Sequence, residues 1–370
     1  MKKRILHIIY SLETGGAEES LVKLVTNDNL NIHIILMLTN GGILLDRIKK
    51  RNIKSYCLNL RKNFIFSPYY FIKILKIISQ EEIQIIHSWM YSSDVIASLV
   101  GFLLNKKIIW CVRNTTLKLG SASITSIISR LISIPFSYIF PLKIIYCSES
   151  AKNCHERIGY NKRISKKISN GIDCEIFKPL KKRTLKLQPI KIGMAARFNK
   201  QKNHLLLLET IKEIQNHKIN KSQVKFYLAG RNINRENLKS IYKGNFDEIS
   251  PYITFLGELS DMAVFYNSVD FSLVCSTYGE AFPNVIAESM ACGTPCISTN
   301  IGDAKIIIGK YGFLLNSFNK QELSAIILKI IRFDPGKFLK LSQDAQKSVE
   351  SKYSLNKMIK NYQKIYSLIK

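Results

Sequence analysis

The stretch "DFSLVCSTYGEAFPNVIAESMACGTPCIST" (residues 270–299) compresses a strand, a loop, a helix and another strand into one segment. Its first seven residues are a near-continuous apolar run ending at Ser276, as in a strand covered on both faces. "TYGEAF" then turns, and Pro283 stands where a helix accepts proline, in its first turn. The spacing predicts a helix over 284–292, closed by Gly293 as a C-cap signal. "PCIST" (295–299) begins a strand again. Strand, helix and strand in immediate succession indicate a parallel α/β sheet.

The same alternation runs through the rest of the chain. Strands are expected at 4–10, 32–38, 83–89, 107–113 and 143–150, and again at 190–197, 224–230 and 253–257. Helices fall between them, for example at 17–26, 68–79 and 203–217. Two blocks of this kind predict two doubly wound domains. The join lies near 166–190, where Gly, Pro and a lysine run break the pattern. The expected division is 1–168, 169–345 and a last helical segment, 346–370, crossing back to the first domain. A chain of 370 residues suits two cores better than one.

Composition narrows the partners. Fifty-five Lys+Arg against 27 Asp+Glu leave a net charge of +28, a field that needs an anionic counterpart: nucleic acid, an anionic membrane face or phosphorylated ligands. Eight cysteines stand singly, without C-x-x-C spacing, so they are expected to be reduced and mostly buried in a cytosolic protein. The opening "MKKRILHIIYSLETGG" imitates a signal peptide, but its apolar run is short and Glu13 follows without a cleavage site. No segment has the roughly 20 apolar residues that span a bilayer. The nearest, "LISIPFSYIFPL" between Arg130 and Lys143, suits an interface.

Candidate chemistry gathers at strand ends. Gly15 and Gly16 in "GGAEES" follow the first strand and open a helix, a seat for phosphate or sugar phosphate; a tight turn uses glycine equally well. Arg197 ends the strand in "ARFNKQKN", and Lys202 precedes the next helix. A cation at each edge of that loop suits a diphosphate, with Arg197 forking onto two oxygens. Glu280 precedes the 284–292 helix and Glu288 rides about 7 Å further along its axis. Both are acceptors for hydroxyls, with solvated helix carboxylates as the alternative. The loop amides of Gly279–Phe282 can bind phosphate oxygens, and Pro283, Asn284 and Val285 at the helix start are expected to line the donor site. His87 in "IIHSW" is a general base, an acceptor ligand or a satisfied structural group, and Arg113 ends the neighbouring strand. No D-x-D occurs, and no His/Asp/Glu cluster has metal-ligand spacing, so a bound diphosphate would rely on Arg197, Lys202 and helix amides.

Taken together, "GGAE", "IIHSW", "SNGID", "FKP", "ARFNKQKN", "LAG", "FLGE" and the E-x7-E segment resemble the retaining glycosyltransferases of family 4 over almost the whole chain. "AFP" at 281–283 departs from the family's "GFP". The resemblance implies the GT-B fold, two facing Rossmann-like domains with an interdomain cleft, an N-terminal acceptor domain and a C-terminal nucleotide-sugar domain. It implies that Arg197 and Lys202 hold the diphosphate and Glu288 the ribose hydroxyls. Glu280, with the amides of Ala281 and Phe282, would hold the transferred sugar. Gly15, Gly16, Arg113, Gly230 and Leu256 are further donor contacts, and His87 is expected at the anomeric centre or acceptor. No metal or other cofactor is implied. The partners would be a nucleotide sugar, a polyprenyl-diphosphate-linked glycan acceptor and an anionic membrane surface, met at the cytoplasmic face of the inner membrane through the basic, apolar segments 61–78 and 129–146. Nucleic acid is not expected, because no basic aromatic groove or known module occurs. A nucleotide-sugar epimerase, a phosphorylase or a non-catalytic sugar-nucleotide-binding protein are the competing readings.

Overall fold

The computed structural model describes residues 2–13, 15–60, 68–115, 123–181 and 189–369; part of the basic segment 61–78 lies outside them. The chain divides into two compact units. Unit 1 takes the residues up to Gly171 and those from Leu355 onward, and unit 2 is Ile172–Ser354.

Unit 1 is a seven-stranded parallel sheet of β1 (Arg4–Ile9), β2 (Ile32–Met37), β3 (Lys54–Cys57), β4 (Ile85–Trp89), β5 (Lys107–Val112), β6 (Lys143–Tyr146) and β7 (Ser165–Lys167). Their spatial order is β3-β2-β1-β4-β5-β6-β7. β1 and β4 run side by side with His7 opposite His87. One sheet face is covered by Gly16–Asn27 and Leu355–Leu368, whose Leu21, Val25, Ile359, Tyr362 and Tyr366 enter a core with Ile5, Ile35, Ile85 and Trp89. The terminal helix is thus an integral part of unit 1. Lys3 donates to the carbonyls of Tyr366 and Ile369 at its last turn, where cations are favoured.

Unit 2 has six parallel strands, β8 (Ile190–Ala195), β9 (Val224–Ala229), β10 (Ile253–Gly257), β11 (Phe271–Val274), β12 (Cys296–Thr299) and β13 (Phe313–Leu315), in the order β10-β9-β8-β11-β12-β13. Ile192, Phe226, Phe271 and Ile297 pack under His204–Asn216, Lys320–Ile331 and Pro335–Tyr353 through Leu207, Ile211, Ile327 and Phe338. The segment expected as one terminal helix is therefore two. Pro335–Tyr353 closes unit 2 and Leu355–Leu368 belongs to unit 1.

The strands β3, β7 and β13 were not expected from sequence; each has three or four residues and offers too little apolar surface for a pattern. Among the described residues, no helix is long and apolar enough to cross a membrane.

Candidate active site

The unit 2 sheet reverses its strand order between β8 and β11. Ligands of open α/β sheets bind outside the carboxyl ends of the strands at such a point. The loops that leave those ends are tied to one another. Thr277 donates its N–H to the carbonyl of Gln201 at 2.9 Å, joining the β11 loop to the β8 loop. Lys202 Nζ forms an ion pair with Glu280 Oε1; Ser276 Oγ donates to the same oxygen at 3.1 Å, and the Gln201 amide reaches it at 3.5 Å. The pair is half-buried, sheltered enough for charge to matter and open enough to meet a ligand.

A third loop clamps this one from behind. Asp303 N–H donates to Ala281 O at 2.9 Å. Gly302 has φ +56°, and a Cβ there would lie 2.5 Å from Ala281 O and 2.6 Å from Glu280 O. Only glycine allows that approach. The same device holds the other side of the site. Gly230 (φ +144°) faces Ala196 O, where a Cβ would lie at 2.3 Å, and its N–H donates to Gly257 O at 2.6 Å. Arg197, exposed just beyond Ala196, and Leu256, partly exposed beside Gly257, are thereby brought to one edge.

Helix Asn284–Ala291 starts where the spacing places it, with Pro283 as its N-cap. Asn284 and Val285 open its first turn, where amides have no partner inside the helix. At the other end, Gly293 N–H donates to Met290 O at 3.0 Å and Thr294 N–H to Ser289 O at 2.9 Å, a Schellman closure with Gly293 at φ +69°. Ala281 and Phe282 are buried, and the Phe282 ring packs edge-on against Tyr353. Glu288 lies in the second turn, half-buried. Burial, aided by the neighbouring Glu288 carboxylate, drives the Tyr266 phenol well above its ordinary pKa. Gly279 and Glu280 sit in the loop and Glu288 in the helix, so the two carboxylates occupy different levels of one edge. Ser276, Gln201, Gly302 and Asp303 complete the arrangement and were not assigned to it from sequence. The signal available was position alone, since each follows a strand of the same sheet.

The unit 1 candidates divide. Gly15 is the N-cap of helix Gly16–Asn27, beyond β1 and beside the reversal between β1 and β4. A Cβ on Gly16 would meet open space, so packing within the unit does not require glycine there. His87, however, is not at a strand end. It is the middle residue of β4, fully buried, with Nδ1 2.8 Å from the Tyr366 hydroxyl. Burial first, then the fields of His33 and Arg113, lower its pKa to about 3. Helix Leu355–Leu368 covers it, so it is a neutral core group and the catalytic expectation is corrected. Arg113 is likewise engaged within unit 1. It donates to Ser20 Oγ at 2.6 Å, to Tyr362 OH at 3.3 Å and to Asn170 Oδ1, and lies over the Trp89 ring. It braces the first and last helices of the unit rather than presenting a free guanidinium to a donor.

Beside His87 runs a directed hydrogen-bond chain. Trp89 Nε1–H donates to His7 Nδ1 at 3.1 Å, which leaves the His7 proton on Nε2, 2.8 Å from His33 Nδ1. His33 Nε2 in turn lies 3.0 Å from Asp28 Oδ2. Burial alone would raise the Asp28 pKa, but hydrogen bonds from His33, Asn31, Gln363 and the Leu30 amide outweigh it and lower it.

Comparison with known proteins agrees with this architecture. The family model described as Glycosyltransferase Family 4 matches residues 15–176, and that described as Glycosyl transferases group 1 matches residues 189–332. N-acetyl-alpha-D-glucosaminyl L-malate synthase of Bacillus anthracis is 28% identical over 120 residues, 32% of this chain and 31% of that protein. The chain thus matches under a third of that relative's length. A structure of Anabaena HepE in complex with UDP superposes with a TM-score of 0.82 at 18% identity, covering 99% of this chain and 100% of that one. A glycosyltransferase from Rickettsia africae superposes with a TM-score of 0.80 at 20% identity, covering 100% and 98%. At these identities the structural likeness speaks for the fold, which is GT-B, while the family models cover most of the sequence. The chain belongs to the family 4 glycosyltransferases.

Proposed function

We propose that the chain is a retaining glycosyltransferase that moves a hexose or N-acetylhexosamine from a UDP-sugar to a polyprenyl-diphosphate-linked glycan. The setting would be O-antigen, capsule or related polysaccharide synthesis at the cytoplasmic face of the inner membrane. The observation that carries the reading is the Lys202–Glu280 pair, held at the strand-order reversal by Ser276 and Gln201 and clamped by Gly302. Lys202 and exposed Arg197 supply charge for a diphosphate, while Glu280 and Glu288 supply hydroxyl acceptors at two levels.

In this reading the bond from the anomeric carbon to the diphosphate oxygen breaks as the acceptor hydroxyl attacks from the same face. The acceptor proton passes to the departing phosphate oxygen, whose growing charge Lys202, Arg197 and the first-turn amides of Asn284–Ala291 stabilise. The carboxylates orient the sugar and form no covalent intermediate with it. Metal independence is part of the proposal; among the described residues, no three His, Cys, Asp or Glu form a group able to hold a metal.

Calorimetry is expected to show UDP binding with a dissociation constant on the order of micromolar, unchanged by a chelator. Absence of binding by any nucleoside diphosphate would sink the reading. A screen of nucleotide sugars with lipid-linked acceptors should then release free nucleotide only when both are present. An epimerase would instead alter the sugar without any acceptor.

A further inference from the structure

Helix Ile124–Phe136 is built inside out. Its buried positions are Ser129 and Ser133, and Ser137 follows one turn later at the C-cap. Their hydroxyls are all engaged. Ser129 Oγ lies 3.2 Å from Ser92 Oγ, Ser133 Oγ donates to Ser129 O at 2.8 Å, and Ser137 Oγ donates to Ile134 O at 2.6 Å. The outward face is apolar: Ile124, Ile128 and Leu131 are 76%, 49% and 59% exposed, and Tyr138 and Ile139 just beyond the helix are 63% and 67% exposed. At the end of the adjoining helix Tyr91–Leu103, Phe102 packs edge-on against Phe140 and extends the patch. A surface helix normally does the reverse, and a contiguous outward apolar stripe marks a face that meets something. Helix Pro68–Gln80 shows the ordinary arrangement, with Ile74, Ile77 and Ile78 buried.

Charge indicates what it meets. Between Asp94 and Glu149 the sequence has no acidic residue, while Lys106 follows the end of helix Tyr91–Leu103 and Lys107 and Lys143 open β5 and β6, lining one hollow with Leu142. A second copy docked about a two-fold axis would set these cations against their own kind, with no acid from residues 95–148 to offset them. An anionic bilayer satisfies both properties at once.

We propose that the outward face of Ile124–Phe136 lies in the headgroup boundary of an anionic membrane, with Ile124, Ile128 and Leu131 inserted and the three lysines on lipid phosphates. This rests on the membrane setting proposed above and narrows it to one helix. Vesicles of phosphatidylcholine alone, and of equal parts phosphatidylcholine and phosphatidylglycerol, provide the test by flotation. The chain should float with the mixed vesicles and much less with the neutral ones. Ile128→Glu with Leu131→Glu should cut the bound fraction by about tenfold or more, leaving the melting temperature and UDP binding unchanged. Leu131→Trp should shift its emission to the blue on adding mixed vesicles, because Trp89 and Trp110 are fully buried and contribute a constant background. Flotation of the double variant like the parent, or an unmoved emission on bound vesicles, would overturn the assignment. So would a parent chain that ignores vesicles, whether monomeric or in a dimer that the double variant loses. Retained UDP binding in any of these cases leaves the transferase reading standing.

Discussion

Glu280 gathers Lys202, Ser276 and Gln201 on a single oxygen, so the loss of each partner is separable from the loss of the fold. Lys202→Ala should lower kcat/KM by about 100-fold or more, while the urea midpoint moves by the equivalent of only about 1 kcal/mol because Ser276 and Gln201 still hold the carboxylate. Near-normal turnover would remove Lys202 from the site. Tyr366→Phe is the opposite case. It leaves His87 without its Nδ1 partner, and Nε2 already lacks one among the described residues. Unfolding should become easier by about 1–3 kcal/mol, with turnover at saturating substrates unchanged. These two residues also mark what sequence could reveal. Glu280 was legible because Pro283 and Gly293 bracket a helix and place it before that helix. His87 was not, because "IIHSW" reads as a strand end in one dimension. Its cover arrives from 279 positions away.

At the level of elements, the site depends on how closely loops approach one another. Gly302→Ala would force a side chain into a left-handed backbone and against two carbonyl oxygens. The expected result is a donor KM raised about tenfold through displacement of the 280–281 loop, measured by initial rates, with a smaller effect on kcat. An unchanged KM would show that the clamp does not set the loop. The strand–helix alternation in two blocks followed from apolar runs and spacing, since buried parallel strands carry a dense signal, whereas the place where each sheet reverses its order is a matter of pairing that one dimension does not carry. The edge strands β3, β7 and β13 gave almost none. Neither did the serine-lined inner face of Ile124–Phe136, because periodicity says which side of a helix is apolar and only packing says where that side points.

At the scale of the molecule, the buried histidines make stability depend on pH. Burial above all holds His7 well below its ordinary value, His87 at about 3, and His155 and His204 at about 4. Above pH 6.5 both folded and unfolded chains keep these rings neutral and nothing changes. Below it the unfolded chain takes up protons that the folded chain refuses, so stability falls as pH drops toward 4, by up to about 1.4 kcal/mol per pH unit for each ring. Urea unfolding at a series of pH values checks this, and a flat profile would mean that the rings are open to water. The division of the chain has a different consequence. Unit 2 is inserted into unit 1, whose core is completed by Ile359, Tyr362 and Tyr366. During synthesis, the first sheet must therefore wait on the ribosome without its covering helix while residues 172–354 are made, roughly 10–40 s at usual elongation rates. His87, Trp89 and the Asp28 relay stay unshielded throughout that interval. A stalled or nicked product ending near Ser354 would carry a finished second unit and an unfinished first one, a natural target for chaperones and proteases.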